Sequence, residues 1–342
     1  MKIKFSQKLP KVIAELSGNH NSRISNAYKL IDKAVEIGVD LVKIQTYTPD
    51  TLTLNSRRKE FLIKKGIWKG YYLYDLYKKA HTPYEWHKDL FEYSKKKGMN
   101  IFSSPFDQTA VELLEKLNCP LYKIASPEII DLNLLKIVAL TDKDLIISTG
   151  MASNKEIYEC INTVNKYGKG NIILLHCISG YPSPIEEMNL NRINFLKKEF
   201  GLQVGLSDHS SGVIAPIVAT TLGIVLIEKH LTLNKRNGGI DSEFSLDPID
   251  FGHLVKSIKQ TTLSMGKYNF KITKSELITK KNRRSIYASR DIQKDEYFTD
   301  KNIRSVRPGN GLHPRYLETL KKLKSKRKIK FGEPIKKLDL LK

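Results

Sequence analysis

Cysteine is scarce in this chain of 342 residues, and the three present, Cys119, Cys160 and Cys177, are odd in number and far apart. With no C-x-x-C spacing among them, neither a disulfide framework nor a thiolate metal site is indicated, and a reducing cytoplasm is expected. Long apolar runs are missing too. No stretch approaches the roughly 20 residues that span a bilayer, and Met1–Leu16 lacks the continuous apolar segment of an export signal, so a soluble, unexported protein with no membrane partner is expected. Acidic residues are in short supply: 36 Asp+Glu against 58 Lys+Arg leave a formal charge of +22. Such an excess can mark a nucleic-acid partner, because basic surfaces gain affinity by releasing phosphate counterions. Here the surplus is mainly lysine spread over polar helix faces. The densest run, Lys321–Lys330, lacks the interleaved aromatics of a base-stacking platform, so no nucleic acid is expected. A positive field would still speed the arrival of anionic small substrates.

What is present is a repeat. Short β-like runs at Lys11–Leu16, Leu41–Thr46, Asn100–Pro105, Leu121–Ser126, Leu145–Gly150, Ile172–Cys177, Gln203–Asp208 and Val225–Leu231 alternate with amphipathic stretches. Ala27, Leu30, Ile31, Ala34 and Ile37, closed by Gly38, show the helical spacing and its glycine stop. Eight strand–helix units over about 260 residues predict an α/β fold, a parallel (β/α)8 TIM barrel. In that fold chemistry gathers at the C-terminal ends of the strands. Those ends carry Glu15; Lys43 and Gln45; Ser103 and Ser104; Lys123, Ser126 and Glu128; Ser148 and Thr149; His176, Ser179 and Tyr181; Ser207, Asp208 and His209; Glu228 and His230.

Two of these ends suggest a metal site. Glu228 and His230 are two apart, so on a strand they share a face, and His209 ends the preceding strand. Imidazole with carboxylate and no thiol nearby suits Mn²⁺ or Mg²⁺ better than structural zinc. The bland alternative is two unrelated histidines at strand ends. Lys43 and Lys123 each sit among apolar neighbours, and a buried ammonium needs a counter-charge. With the Ser126, Ser148 and Ser207 hydroxyls they form a cage for a phosphate or carboxylate. A Schiff-base lysine, as in barrel aldolases, and a structural Lys123–Glu128 ion pair remain open beside the favoured anion cage. The connection from Tyr47 to Pro83 is too long for an ordinary loop and is expected to shape the pocket, with Trp68 and its neighbouring tyrosines packing or touching a sugar.

The segments Ala14–His20, Val42–Asp50, Ser103–Phe106, Tyr122–Ser126, Ser148–Met151, Gly205–His209, Ile227–His230 and Arg307–Gly309 resemble the sialic acid synthase family from about Lys11 onward. Leu73–Tyr77 and Thr82–His87 resemble a branch other than the one that makes N-acetylneuraminate. The resemblance implies a barrel at 1–266, a linker at 267–282 and a small β-rich antifreeze-like (SAF) domain at 283–342. It also implies condensation of phosphoenolpyruvate with an amino sugar, a 6-deoxy diacetamido hexose in this branch, to a nine-carbon 2-keto acid plus phosphate. On the same basis His209 and His230 hold a divalent metal, Mn²⁺ or Mg²⁺. Lys43, Lys123, Ser126, Ser148 and Ser207 hold phosphoenolpyruvate with Tyr181 close by, and Glu15, Glu228 and Asp241 are the catalytic carboxylates. Gln45, Glu128 and Ser179 complete the substrate site. In such enzymes a domain-swapped homodimer places Arg307 over the partner's site, against an N-acetyl group. Ser179 departs from the family, which usually has Asn there in an Asn-x-Tyr-Pro motif.

Overall fold

A computed structural model describes residues 3–237 and 239–341. Eight parallel strands close on themselves: β1 Lys11–Glu15, β2 Leu41–Thr46, β3 Asn100–Pro105, β4 Tyr122–Ile124, β5 Leu145–Ser148, β6 Ile172–Cys177, β7 Gln203–Asp208 and β8 Leu226–His230, with β1 pairing both β2 and β8. The eight expected runs and the observed strands differ by at most a few residues. Burial on both faces is the reason they are legible, since strands covered inside and outside read as near-continuous apolar runs. Leu41–Thr46 and Ile172–Cys177 are buried along almost their whole length.

Each strand leads to a helix packed on the outside. In Ile24–Ile37 the residues Ala27, Leu30, Ile31 and Ala34 are buried, and Gly38 ends the helix at φ 78°, its N–H bonded to the carbonyls of Ala34 and Val35. That left-handed cap is cheap only for glycine. Other helices start on acceptors the sequence provides: Asp107, Asp131 and Asp247 accept from backbone N–H groups, and Ser153 with Glu156 forms a capping box.

The chain divides into two compact units, Met1–Gly266 and Lys267–Lys342. The second has its own small core of Ile286, Ala288, Ile292, Phe298, Ile303, Leu320, Ile329 and Ile335. It is built on two antiparallel pairs, β9 Ser285–Ala288 with β10 Ile303–Val306 and β11 Lys324–Ser325 with β12 Leu340–Leu341. The stretch 267–282 carries a short helix, Lys274–Thr279, whose Thr273–Glu276 capping box stabilises it without any buried residue. The surplus of positive charge is not spread evenly. Residues 267–342 hold 23 of the 58 basic residues but only 8 of the 36 acidic ones, a net +15 of the total +22.

Candidate active site

Register and alternation decide what reaches the barrel mouth. Glu15 lies level with Lys43 on β2 and His230 on β8, Ser207 on β7 is level with Glu228, and Cys177 on β6 with Ser207. Because successive side chains on a strand alternate, Glu228 and His230 point inward while Lys229 between them points outward.

The centre is a row of four buried charges. Lys43 Nζ is 2.7 Å from Glu15 and 3.4 Å from Glu228, and Lys123 Nζ is 3.8 Å from Glu228. Hydroxyls and amides fill in around them: Lys123 donates to Ser148 Oγ at 2.7 Å, Ser207 Oγ donates to Glu228 at 3.2 Å, Lys43 reaches Ser104 Oγ at 3.3 Å, and Gln45 donates to Glu15 at 3.3 Å. The structural alternative for Lys123 therefore needs correcting, because its carboxylate partner is Glu228 across the barrel and not Glu128 in the following turn. The charges are unequally satisfied. Burial alone would lower Lys43, but Glu15 and Glu228 together raise its pKa; Lys123, buried with one more distant carboxylate, is lowered. Burial would raise Glu228, yet Lys123 and Lys43 outweigh it and hold the carboxylate ionised, whereas burial dominates at Glu15 and at Asp241, which are raised. Burial also pushes Glu128 up to about 7. Carboxyls whose environments drive them apart are the raw material of acid–base pairs.

Two hydroxyls form a cradle around Gly150, two residues after the Ser148 that accepts from Lys123. Gly150 N donates to Ser126 Oγ at 3.1 Å, and a Cβ built on Gly150 would stand 2.7 Å from that oxygen and 2.4 Å from Ser179 Oγ. Only glycine lets the two hydroxyls and the backbone N–H converge there, so Gly150 joins the expected set, although its spacing alone gives no sign of it.

His209 and His230 face one another, ring centroids 5.4 Å apart, with Phe244 against both. His209 Nδ1 bonds the Ile178 carbonyl at 3.0 Å, which leaves Nε2 free, and the buried Nδ1 of His230 and Oε2 of Glu228 have no hydrogen-bond partner among the described residues. An unpartnered buried nitrogen beside a second imidazole that keeps Nε2 unbonded fits a divalent cation. Among the described residues no cluster of three or more His, Cys, Asp or Glu is arranged as a ready-made cage, so water or substrate would complete the shell, as hard cations commonly require. The expected absence of thiol is corrected: Cys177 Sγ lies 3.9 Å from His209 Nδ1, and although burial would raise it, the imidazole holds it at about 7.

Several strand-end residues turn away. Ser103 bonds Thr46 and the Ile44 carbonyl, His176 bonds the Met188 carbonyl at 2.6 Å, and Asp208 pairs with Lys229 behind the sheet. Asp241, reached by Ser17, and Tyr181, 4.5 Å from the His209 ring, join the mouth from loops. Trp68, from the long connection, stands 5.3 Å from Tyr181 and donates its indole N–H to the Ile240 carbonyl at 2.8 Å. Arg307 lies in the second unit just after β10, in a fully exposed stretch.

The NeuB family pattern matches residues 30–270 and the SAF domain pattern residues 283–341. Pseudaminic acid synthase of Helicobacter pylori is 44% identical over 329 residues, 95% of this chain and 96% of that protein. N,N'-diacetyllegionaminic acid synthase of Campylobacter jejuni is 38% identical, covering 92% of this chain and 96% of its own length. The crystal structure of N-acetylneuraminic acid synthetase from Leptospira borgpetersenii, solved with citrate, superimposes with a TM-score of 0.72 at 30% identity, over 81% of this chain and 92% of that one.

Proposed function

Since the chain belongs to the NeuB family and carries a SAF domain, we propose that it makes pseudaminic acid, condensing phosphoenolpyruvate with 2,4-diacetamido-2,4,6-trideoxy-L-altrose to a nine-carbon 2-keto acid and inorganic phosphate. The observation that carries this is Lys123, a buried ammonium that hydrogen-bonds Ser148 but, among the described residues, has only the 3.8 Å carboxylate of Glu228 as an ion-pair partner, near the Ser126–Gly150–Ser179 cradle. An incoming phosphate or carboxylate supplies the charge that Lys123 lacks, and Lys43, Ser148 and Ser207 extend the same cage.

The residues then divide the work. With the enol phosphate fixed, its C3 meets the sugar's aldehyde carbon, a carbon–carbon bond forms, and C2 is left electron-poor; orientation of this kind is worth several kcal/mol. Water adds at C2 and gives its proton to ionised Glu228, after which the C2–O bond to phosphate breaks and the ketone forms. Asp241, a carboxyl raised by burial and without an ammonium beside it, delivers a proton to the former aldehyde oxygen while Glu15 holds Lys43 in place, each such transfer contributing about 10²–10⁴ in rate. His209 and His230 would hold Mn²⁺ or Mg²⁺, which when bound polarises the aldehyde as a Lewis acid.

The test is phosphate release from phosphoenolpyruvate with a panel of 2-acetamido and 2,4-diacetamido hexoses, with and without chelator. Turnover concentrated on the 6-deoxy altrose derivative and lost in EDTA supports the proposal; preference for N-acetylmannosamine or the legionaminate precursor reassigns the sugar. Trapping of a lysine adduct by borohydride would move the chain to aldolase chemistry. Among the described residues no helix is long and apolar enough to cross a membrane, and a cytoplasmic setting is part of the proposal. So is a domain-swapped dimer. Mixing Arg307→Ala chains with His230→Ala chains should restore part of the activity through sites made of two intact halves, and a folded mixed dimer without activity would refute the swap.

A further inference from the structure

The outward-facing residues between the two histidine positions form a closed network of their own. Asp208 and Lys229 are level with each other on β7 and β8, and each immediately precedes a histidine of the mouth. Both side chains are completely buried, with Lys229 Nζ 2.5 Å from Asp208 Oδ2 and 2.5 Å from the Ser210 carbonyl. Asp208 Oδ1 accepts from the backbone N–H of Ser210 at 2.9 Å and from its hydroxyl at 2.7 Å. Neither residue touches the cavity. As a source of stability such a pair is poor, because removing two charges from water costs about as much as their attraction returns. As a device for holding geometry it is strong: every bond in the network has a fixed direction, and sliding β7 against β8 would strand a buried charge.

We propose that the buried Asp208–Lys229 ion pair is a positioning clip that sets the separation of His209 and His230 from behind the sheet, so that the two imidazoles are prearranged for a divalent cation. The inference rests on the metal site proposed above. It differs from a purely structural role in what it fixes: the pair bonds neither imidazole, but it sets the ring separation, and misplacing ligands by supporting groups typically costs about 10–100-fold in metal affinity.

The double variant Asp208→Asn/Lys229→Met removes the ion pair but keeps an acceptor for Ser210. Mn²⁺ alone, titrated into the metal-free full-length variant and followed by electron paramagnetic resonance, should bind about 10–100-fold more weakly than to the wild type. Its crystal structure should show the two rings displaced from the 5.4 Å separation. Unchanged affinity with unchanged separation overturns the clip. If the wild type itself takes up no Mn²⁺, the metal reading falls and the ring separation alone decides the clip. Should the double variant fail to fold, hydrogen exchange on the wild type decides instead. The amides of His209, Ser210 and His230 should exchange as slowly as the barrel core before any metal is added, and fast exchange slowed only by Mn²⁺ overturns the proposal.

Discussion

Three lysines of the barrel unit are buried, and among the described residues none of the second unit's is. In the barrel, Lys43, Lys123 and Lys229 are at most 3% exposed and lie 2.7, 3.8 and 2.5 Å from a carboxylate. In the second unit Lys326, Lys328, Lys330, Lys336 and Lys337 are exposed, and basic residues outnumber acidic ones by 15. A buried ammonium is tolerated only where structure supplies counter-charge, so each buried lysine marks a built site; an exposed one has water for a partner and marks only a field. The same residue type thus reports chemistry where it is buried and solvation where it is exposed, and among the described residues only the barrel unit has the buried kind.

The comparison is broken most directly by making the same substitution in both places. Lys123→Met should cut kcat/KM for phosphoenolpyruvate about 10³-fold, ~4 kcal/mol of lost transition-state binding, chiefly through KM. Lys328→Met should change it by less than about twofold, as surface substitutions do. Steady-state kinetics on both variants checks this, and equal effects would dissolve the distinction.

Carboxylates sharpen it through pH. Glu128 in the barrel is raised by burial to about 7 from 4.5, so the folded state binds its proton more tightly than the unfolded chain. Its contribution is fully present below pH 4.5 and is lost as pH rises through about 7, a swing of up to about 3 kcal/mol. Glu296 in the second unit is lowered by the Gln293 backbone N–H, so its contribution has the opposite sign, present above its unfolded pKa and lost as pH falls through the lower folded value. Thermal melts should show Glu128→Gln flattening the loss between about pH 5 and 8, and Glu296→Gln flattening the loss on the acid side. A Glu128→Gln profile parallel to wild type would refute the first.

Gly150→Ala tests the cradle near Lys123. The new Cβ would sit 2.4 Å from Ser179 Oγ and 2.7 Å from Ser126 Oγ, forcing both hydroxyls away without demanding a strained backbone. The KM for phosphoenolpyruvate should rise about 10–100-fold while the melting temperature stays near wild type. An unchanged KM would remove the cradle from the anion site.

How far the sequence alone reaches follows the same division. The barrel is legible because strands buried on both faces are apolar throughout, and Lys43 and Lys123 stand out against that background. Glu228 and His230 are legible from period two. The counter-ion of Lys123 is not, because Glu228 reaches it across the barrel from 105 positions away, while Glu128 is merely near in the chain. Cys177 escapes sequence reasoning for a related reason: it lies beside His209 through the pairing of β6 with β7, which spacing does not reveal. Asp208 carries the right chemistry for a ligand, yet alternation turns it outward. Trp68 arrives from a long connection whose path has no periodic signature.

The smallest effect concerns the exposed lysines themselves. Lys326, Lys328 and Lys330 are exposed while Ser325 before them and Ile329 between them are buried, so their ammonium groups stand on the solvent side where salt can reach them. If they act only through their field, their influence on a small anion is confined to its approach. At about 0.1 M ionic strength that influence fades over about 10 Å. Replacing all three by glutamate moves the unit's formal charge from +15 to +9 and should lower kcat/KM for phosphoenolpyruvate by about two- to fivefold at low salt, with kcat unchanged. In about 0.5 M NaCl the difference from wild type should vanish, because screening removes the same field that the substitutions removed. A loss that persists in high salt would mean that these lysines make a short-range contact, and the second unit would then share the barrel's use of lysine instead of contrasting with it.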